Sequence, residues 1–211
     1  MTLVKICGIT NLEDARHAVE CGADMLGFNF YSKSPRYISP ESARSIIDDV
    51  RDKVQTVGVF VNEEIYQIYE ATLASKIKTI QLHGDESIDY ELEIMVWTGL
   101  DVIKAIRTSV PFDERWLDSE YDASILIDSG SPGLFGGTGE KADWTKAKEI
   151  ASENPHVYLA GGLDCYNVAD AIRIVRPYAV DVASGVESSP GKKDPSKVAA
   201  FIDAVRKASL S

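Results

Sequence analysis

Eight times along this chain, a short β-like apolar run is followed by a stretch with helical patterning or a helix-capping signal. The runs are Leu3–Cys7, Met25–Phe30, Gln55–Val61, Lys78–Leu82, Val102–Ile106, Ser124–Ile127, His156–Ala160 and Ala179–Val182. Strands that alternate with helices imply a parallel sheet, because each helix carries the chain back to where the next strand begins. Eight such units close into a (β/α)8 barrel. At 211 residues the expectation is one small barrel domain over residues 1–211. The competing architecture, an open doubly wound sheet, calls for a Gly-rich turn directly after the first strand. Cys7-Gly8-Ile9-Thr10 matches that turn poorly.

The helix signals agree with this count. Thr10 or Asn11 caps the first helix, and Glu13, three residues after Thr10, fits a capping box. Ser39-Pro40-Glu41 supplies a capping serine, a first-turn proline and an acid for the helix dipole. Asn62-Glu63-Glu64 opens the next helix, and another begins near Glu86. A short, weak one lies around Phe112–Leu117, and Lys146–Ala151 is helical. Asp164 caps the helix after the seventh strand. Asp194-Pro195 starts the last, where Val198, Phe201, Ile202 and Val205 share one face.

Composition removes several classes of function. The net charge is −11, from 22 basic and 33 acidic residues. Such a surface disfavours nucleic acids and anionic membranes, which are bound through Lys and Arg. No run approaches the roughly 18 apolar residues of a membrane span, and the start does not read as a signal peptide. Three widely spaced cysteines without Cys-x-x-Cys suggest a cytoplasmic chain without a disulfide framework. The three histidines are scattered, so no metal site is expected.

In a barrel, chemistry sits at the C-terminal strand ends and in the loops that follow. Cys7 ends the first strand, His83 the fourth and Asp128 the sixth, while Asp181 lies on the eighth. Period-two alternation puts Lys5 and Cys7 on one face, where an ammonium favours the thiolate. A packed structural cysteine is the other reading. Asp128 closes an apolar strand, where burial would raise its pKa and suit a general acid. It could instead be a turn aspartate. Ser129–Lys141 holds five glycines and reads either as a connector or as a lid over the mouth. Gly137-Thr138-Gly139 within it is a weak signal by itself. Gly161-Gly162 and Ser184-Gly185 follow strands seven and eight, where barrels recurrently bind phosphate through backbone N–H groups. Arg36, in the loop after strand two, is either a surface arginine or a fork for a carboxylate.

Taken together, several motifs resemble the phosphoribosylanthranilate isomerase family of tryptophan biosynthesis, in order and over the whole chain. They are Lys5–Thr10, Ser34-Pro35-Arg36-Tyr37-Ile38, Gln81-Leu82-His83-Gly84, Ile127-Asp128-Ser129, Gly136–Gly139, Ala160-Gly161-Gly162-Leu163 and Asp181–Glu187. One small departure is Ala183, where a small polar residue is expected. The resemblance implies an aldose–ketose isomerase that performs an Amadori rearrangement without metal or organic cofactor. It implies Asp128 as general acid, Cys7 as general base and Arg36 as holder of the anthranilate carboxylate. The backbone near Gly162, Ser184 and Gly185 would hold the phosphate, with Gly137 and Gly161 also binding substrate.

Further expectations concern single side chains, the charge of the mouth and the partners. Asp181 pairs with Lys5 or contacts the substrate amine, because strands one and eight are neighbours in a closed barrel. His83 either lines the pocket or packs at the rim. Cationic groups make the mouth locally positive, and kcat/KM falls at low pH as the Cys7 thiolate protonates, with Lys5→Met moving that limb upward. The expected partner is a small phosphorylated molecule, and the expected state is monomer or homodimer. The alternatives weighed are a histidine-pathway sugar-phosphate isomerase, a metal-dependent epimerase and an inactive scaffold barrel. The first resembles this chain but uses an aspartate as strand-one base, the second needs converging His and Asp ligands, and the third has no need of a Cys7/Asp128 pair.

Overall fold

The computed structural model describes residues 1–107, 113–117, 124–129 and 143–210. The strands are β1 (Leu3–Cys7), β2 (Met25–Asn29), β3 (Gln55–Phe60), β4 (Thr79–Leu82), β5 (Asp101–Arg107), β6 (Ser124–Asp128), β7 (Val157–Leu159) and β8 (Ala179–Val182). They form a closed barrel in chain order. Parallel pairing of β1 with β8 aligns Lys5 with Asp181 and closes the ring. Both faces of the strands are covered, which is why they read as near-continuous apolar runs.

The alternation along each strand sorts residues between two cores. Val4, Ile6, Leu26, Phe28, Ile80, Leu82, Ile125, Ile127, Val180 and Val182 belong to the layer between barrel and helices. Met25, Val57, Ile103, Ala105, Leu126, Tyr158 and Ala179 fill the interior. Register aligns Lys5 with Met25, an interior residue. Counting by twos from the interior set therefore brings Lys5, Cys7, Gln81, His83, Asp128 and Asp181 onto the inward face.

The helices among the described residues are α1 (Leu12–Glu20), α2 (Pro40–Val50), α3 (Ile65–Ser75), α4 (Ile88–Thr98), α5 (Trp144–Glu153), α6 (Val168–Val175) and α7 (Pro195–Ala208). Ser39 and Asp194 cap α2 and α7 as the sequence suggests. Elsewhere the boundaries differ. Asn11, not Thr10, caps α1 by accepting from Asp14 N; Thr10 Oγ1 instead donates to Gly191 O across the fold. Ser87 caps α4, because the Glu86 carboxylate is taken by the N–H groups of Asn62 and Gly84 and by Lys104. Asp164 does not cap α6 itself. Its carboxylate accepts from Tyr166 N and Asn167 N in the turn just before the helix. The fifth unit has a 3₁₀ turn, Glu114–Leu117, in place of the helix expected around Phe112–Leu117, and Phe112 lies outside the described residues.

One element was not anticipated. After β8 and a 3₁₀ turn (Ser184–Val186), β9 (Glu187–Ser189) and β10 (Lys192–Lys193) pair as a small antiparallel hairpin. Pro190-Gly191 between them is a turn signal that could have revealed it. Among the described residues, no helix is long and apolar enough to cross a membrane.

Candidate active site

The first strand delivers two chemically active side chains to the barrel interior. Lys5 is fully buried, and its Nζ meets Asp181 Oδ1 at 2.9 Å, the ion pair expected from the β1–β8 neighbourhood. Burial alone would lower the Lys5 pKa, but Asp181 and Cys7 more than offset it, so the ammonium is held well above its ordinary range. Cys7, one turn of the pleat further, lies within hydrogen-bonding reach of that ammonium.

The effect on Cys7 is opposite to the one expected. Burial pushes the thiol up. Lys5 and Lys193 pull it down, while the Asp181 carboxylate pushes it up again, and the net shift is upward. The cation that should make a thiolate is neutralised by its own partner, so desolvation wins.

Room for this arrangement comes from Gly27, which is paired in register with Cys7 on β2. A Cβ there would stand 2.7 Å from Cys7 Sγ and 3.1 Å from Lys5 Nζ. A glycine inside a strand is the signal of such a close approach, and sequence reasoning passed over it. Gly27→Ala is expected to destabilise the fold by about 1–3 kcal/mol through overpacking and to change the rate of Cys7 alkylation. Thermal unfolding and thiol-modification kinetics check this; wild-type behaviour in both would remove Gly27 from the site.

Across the mouth, Asp128 ends β6. Its Oδ2 faces His83 Nε2 at 3.1 Å, and its Oδ1 accepts from Ser129 N at 2.7 Å. His83 therefore stands in hydrogen-bonding contact with Asp128. Gln81 Nε2 donates to His83 Nδ1 at 2.7 Å, which places the imidazole proton on Nε2, aimed at Asp128. The sequence expectation of a raised Asp128 pKa does not hold. Burial does raise it, but the hydrogen bond and charge of His83 and the Ser129 donors outweigh burial, and the carboxyl sits below its ordinary range.

The loops after β7 and β8 supply a different kind of surface. Gly161 and Gly162 both take positive φ, +85° and +62°. Asn167 Nδ2 pins Gly162 O at 2.8 Å. Gly185 is pressed so tightly under the first loop that a Cβ would meet Leu163 O at 1.9 Å. The N–H groups of Gly161, Gly162, Ser184 and Gly185 donate to no acceptor among the described residues. At Ala183 it is the carbonyl that is engaged, accepting from Lys193 Nζ at 3.3 Å. Gly137 and the glycine segment Gly130 to Gly139 lie outside the described residues.

Arg36 reaches the same mouth, but it is not a free cation. It meets the Glu187 carboxylate on one edge, Nη2 to Oε2 at 2.8 Å and Nε to Oε1 at 2.9 Å. Lys193 Nζ joins the same carboxylate at 2.9 Å. Glu187 and Lys193 were missed because the hairpin that carries them was missed. The locally positive mouth that the sequence suggests is built from paired cations. Among the described residues Lys5 is paired with Asp181, Arg107 at the end of β5 with Asp85, and Arg36 and Lys193 with Glu187, a group with a surplus of one positive charge. Among the described residues no three His, Cys, Asp or Glu side chains cluster as a metal ion would require.

A closed barrel with a thiol and a carboxylate at its C-terminal mouth, beside glycine loops whose N–H groups bond to no described residue, defines the chain as a (β/α)8-barrel enzyme. Its relatives narrow the class. The family model described as N-(5'phosphoribosyl)anthranilate (PRA) isomerase matches residues 4–204. The chain therefore belongs to the N-(5'-phosphoribosyl)anthranilate isomerase family. An N-(5'-phosphoribosyl)anthranilate isomerase of Geobacter sp. (strain M21) is 47% identical over 212 residues, covering 99% of this chain and 100% of that protein. The crystal structure of phosphoribosyl anthranilate isomerase from Thermotoga maritima superposes with a TM-score of 0.89 at 44% identity, over 98% of this chain and all of that one. A phosphoribosyl anthranilate isomerase solved in complex with reduced 1-(o-carboxyphenylamino)-1-deoxyribulose 5-phosphate gives a TM-score of 0.84 at 42% identity, over 98% of this chain and 100% of that one.

Proposed function

We propose that this chain isomerises N-(5'-phosphoribosyl)anthranilate to 1-(2-carboxyphenylamino)-1-deoxyribulose 5-phosphate, with Cys7 as base and Asp128 as acid. The observation that carries the assignment of roles is the placing of a thiol on β1 and a hydrogen-bonded carboxyl on β6 at one mouth. Glycine loops whose N–H groups bond to no described residue suit the phosphate, and Arg36 suits the substrate carboxylate.

The reaction runs in four proton movements. Asp128 gives a proton to the ribose ring oxygen as the C1–O bond breaks and the nitrogen lone pair forms the Schiff base. Cys7 takes the C2 proton, and those bonding electrons make the C1=C2 bond of an enolamine as the C=N pair returns to nitrogen. The thiol then protonates C1, and the C2 hydroxyl proton returns to Asp128, leaving the ketone and the enzyme as it began. The electron sink and the leaving oxygen belong to the substrate, so the reading needs no metal or organic cofactor.

The resting state is thiol plus carboxylate, given the upward shift at Cys7 and the downward shift at Asp128. The working state is thiolate plus acid. The two hold the same number of protons, so one transfer between the groups prepares the site without exchange with solvent.

The test is turnover of freshly prepared phosphoribosylanthranilate by the purified chain. We expect multiple turnovers without added metal, and activity that survives a chelator. No turnover would overturn the assignment. We place the enzyme in the cytoplasm, as a monomer or homodimer; its net charge of −11 supports the absence of nucleic-acid and anionic-membrane partners.

A further inference from the structure

We propose that Glu187 and Lys193 are positioning residues that hold Arg36 by one edge and turn its other edge to the substrate carboxylate. The proposal rests on the isomerase reading for the identity of that carboxylate. Arg36 and the proposed base are locked together physically. The arginine stem crosses the backbone just after Cys7, where Gly8 has φ +79° and a Cβ would lie 2.7 Å from Arg36 Cδ. Only a glycine lets the stem pass there.

A guanidinium has five N–H groups. Glu187 occupies the side-on fork, with Nε at 2.9 and 3.2 Å from its two oxygens and Nη2 at 2.8 Å. The end-on fork, formed by Nη1 and the outer hydrogen of Nη2, makes no bond to a described residue. Two parallel N–H groups at that spacing match the two oxygens of a carboxylate.

Glu187 would repel a second carboxylate if it stood alone. Lys193 removes that difficulty. Its Nζ binds Glu187 Oε1 at 2.9 Å and also the backbone of the base, Cys7 O, at 2.6 Å. Gly191 N adds a donor to Oε1 at 3.3 Å. One carboxylate between two cations leaves a surplus positive charge in a group whose side chains are 11%, 4% and 1% exposed for Arg36, Glu187 and Lys193. A surplus charge so far from water is costly, and an anionic ligand on the free edge relieves it.

The experiment is calorimetric titration with two probes, reduced 1-(o-carboxyphenylamino)-1-deoxyribulose 5-phosphate and its counterpart lacking the ring carboxylate. Glu187→Gln is expected to weaken the carboxylated probe by about tenfold to a hundredfold and to leave the other unchanged. KM for substrate should rise by the same factor with kcat nearly constant, because the contact serves ground and transition states alike. In an Arg36→Met background the same substitution should have no further effect. Glu187→Asp keeps the charge but shortens the reach; it should show the same carboxylate-specific loss in smaller measure and serves if Glu187→Gln does not fold. Equal weakening of both probes, additivity with Arg36→Met, or no weakening at all would overturn the positioning role. So would a wild-type chain that binds both probes equally. A wild-type chain that discriminates the probes but does not turn over substrate would instead overturn the isomerase reading and leave the clamp standing.

Discussion

Cys7→Ala is expected to lower turnover of phosphoribosylanthranilate by about a thousandfold, with the barrel still folded. No other described thiol is placed to take over. Cys21 lies at the end of α1 beside His17, and Cys165 lies in the turn before α6. The alanine removes a single sulfur from a residue that is only partly buried, so thermal unfolding should move by no more than a few degrees. Activity within tenfold of wild type would remove Cys7 from the mechanism.

The pH profile sharpens the same prediction, and its sign differs from the one that the sequence suggests. The resting enzyme carries one proton on the thiol and none on the carboxylate. Below the Asp128 pKa a second proton is added and kcat/KM falls. Above the Cys7 pKa the only proton is lost and kcat/KM falls again. The Cys7 limb is therefore the alkaline one, not the acidic one. Lys5→Met removes the ammonium that lowers the thiol pKa and leaves Asp181 to raise it. The alkaline limb should move up, and the plateau between the limbs should drop about tenfold for each unit of that shift, because the transfer from thiol to carboxylate becomes harder. A rate profile across the pH range reads both. An unmoved alkaline limb with an unchanged plateau would exclude Lys5 from tuning the base.

Asp128→Asn is expected to cost a similar factor, on the order of 10²- to 10⁴-fold in kcat. The amide keeps the size of the side chain and can still accept from His83 and Ser129, but it has no acid proton to give. The loss should fall on kcat with KM little changed, since the proton is needed only as the ring opens. Steady-state kinetics alongside a thermal melt separate this from misfolding. An Asn variant with substantial kcat would mean that another group supplies the proton. The structure makes His83 the group to examine next, because its Nε2 already faces Asp128 Oδ2.

Much of this site was legible in the chain because strands alternate. Lys5 and Cys7 share a face by parity alone, and strand ends carry the chemistry of a barrel. That suffices to bring Cys7, His83, Asp128 and Asp181 to one mouth. The Lys5–Asp181 pair followed from closure, since β1 and β8 must meet in a ring. Gly27 was legible too, as a glycine inside a strand, but its meaning depends on which side chain lies opposite.

The barrel, its direction and the residues that point into it can be read along the chain, because period-two alternation and eight repeated units are local patterns. The electrical state of those residues is set by contacts that exist only once the chain has folded. Cys7 is a thiol because burial, aided by Asp181, outweighs Lys5 and Lys193, and Asp128 is a carboxylate because His83 and Ser129 outweigh its burial. Arg36 is half occupied because Glu187 lies against it across 151 residues of chain. Charge and hydrogen bonding depend on distances of a few ångströms between groups that the fold brings together, and no spacing along the chain encodes those distances.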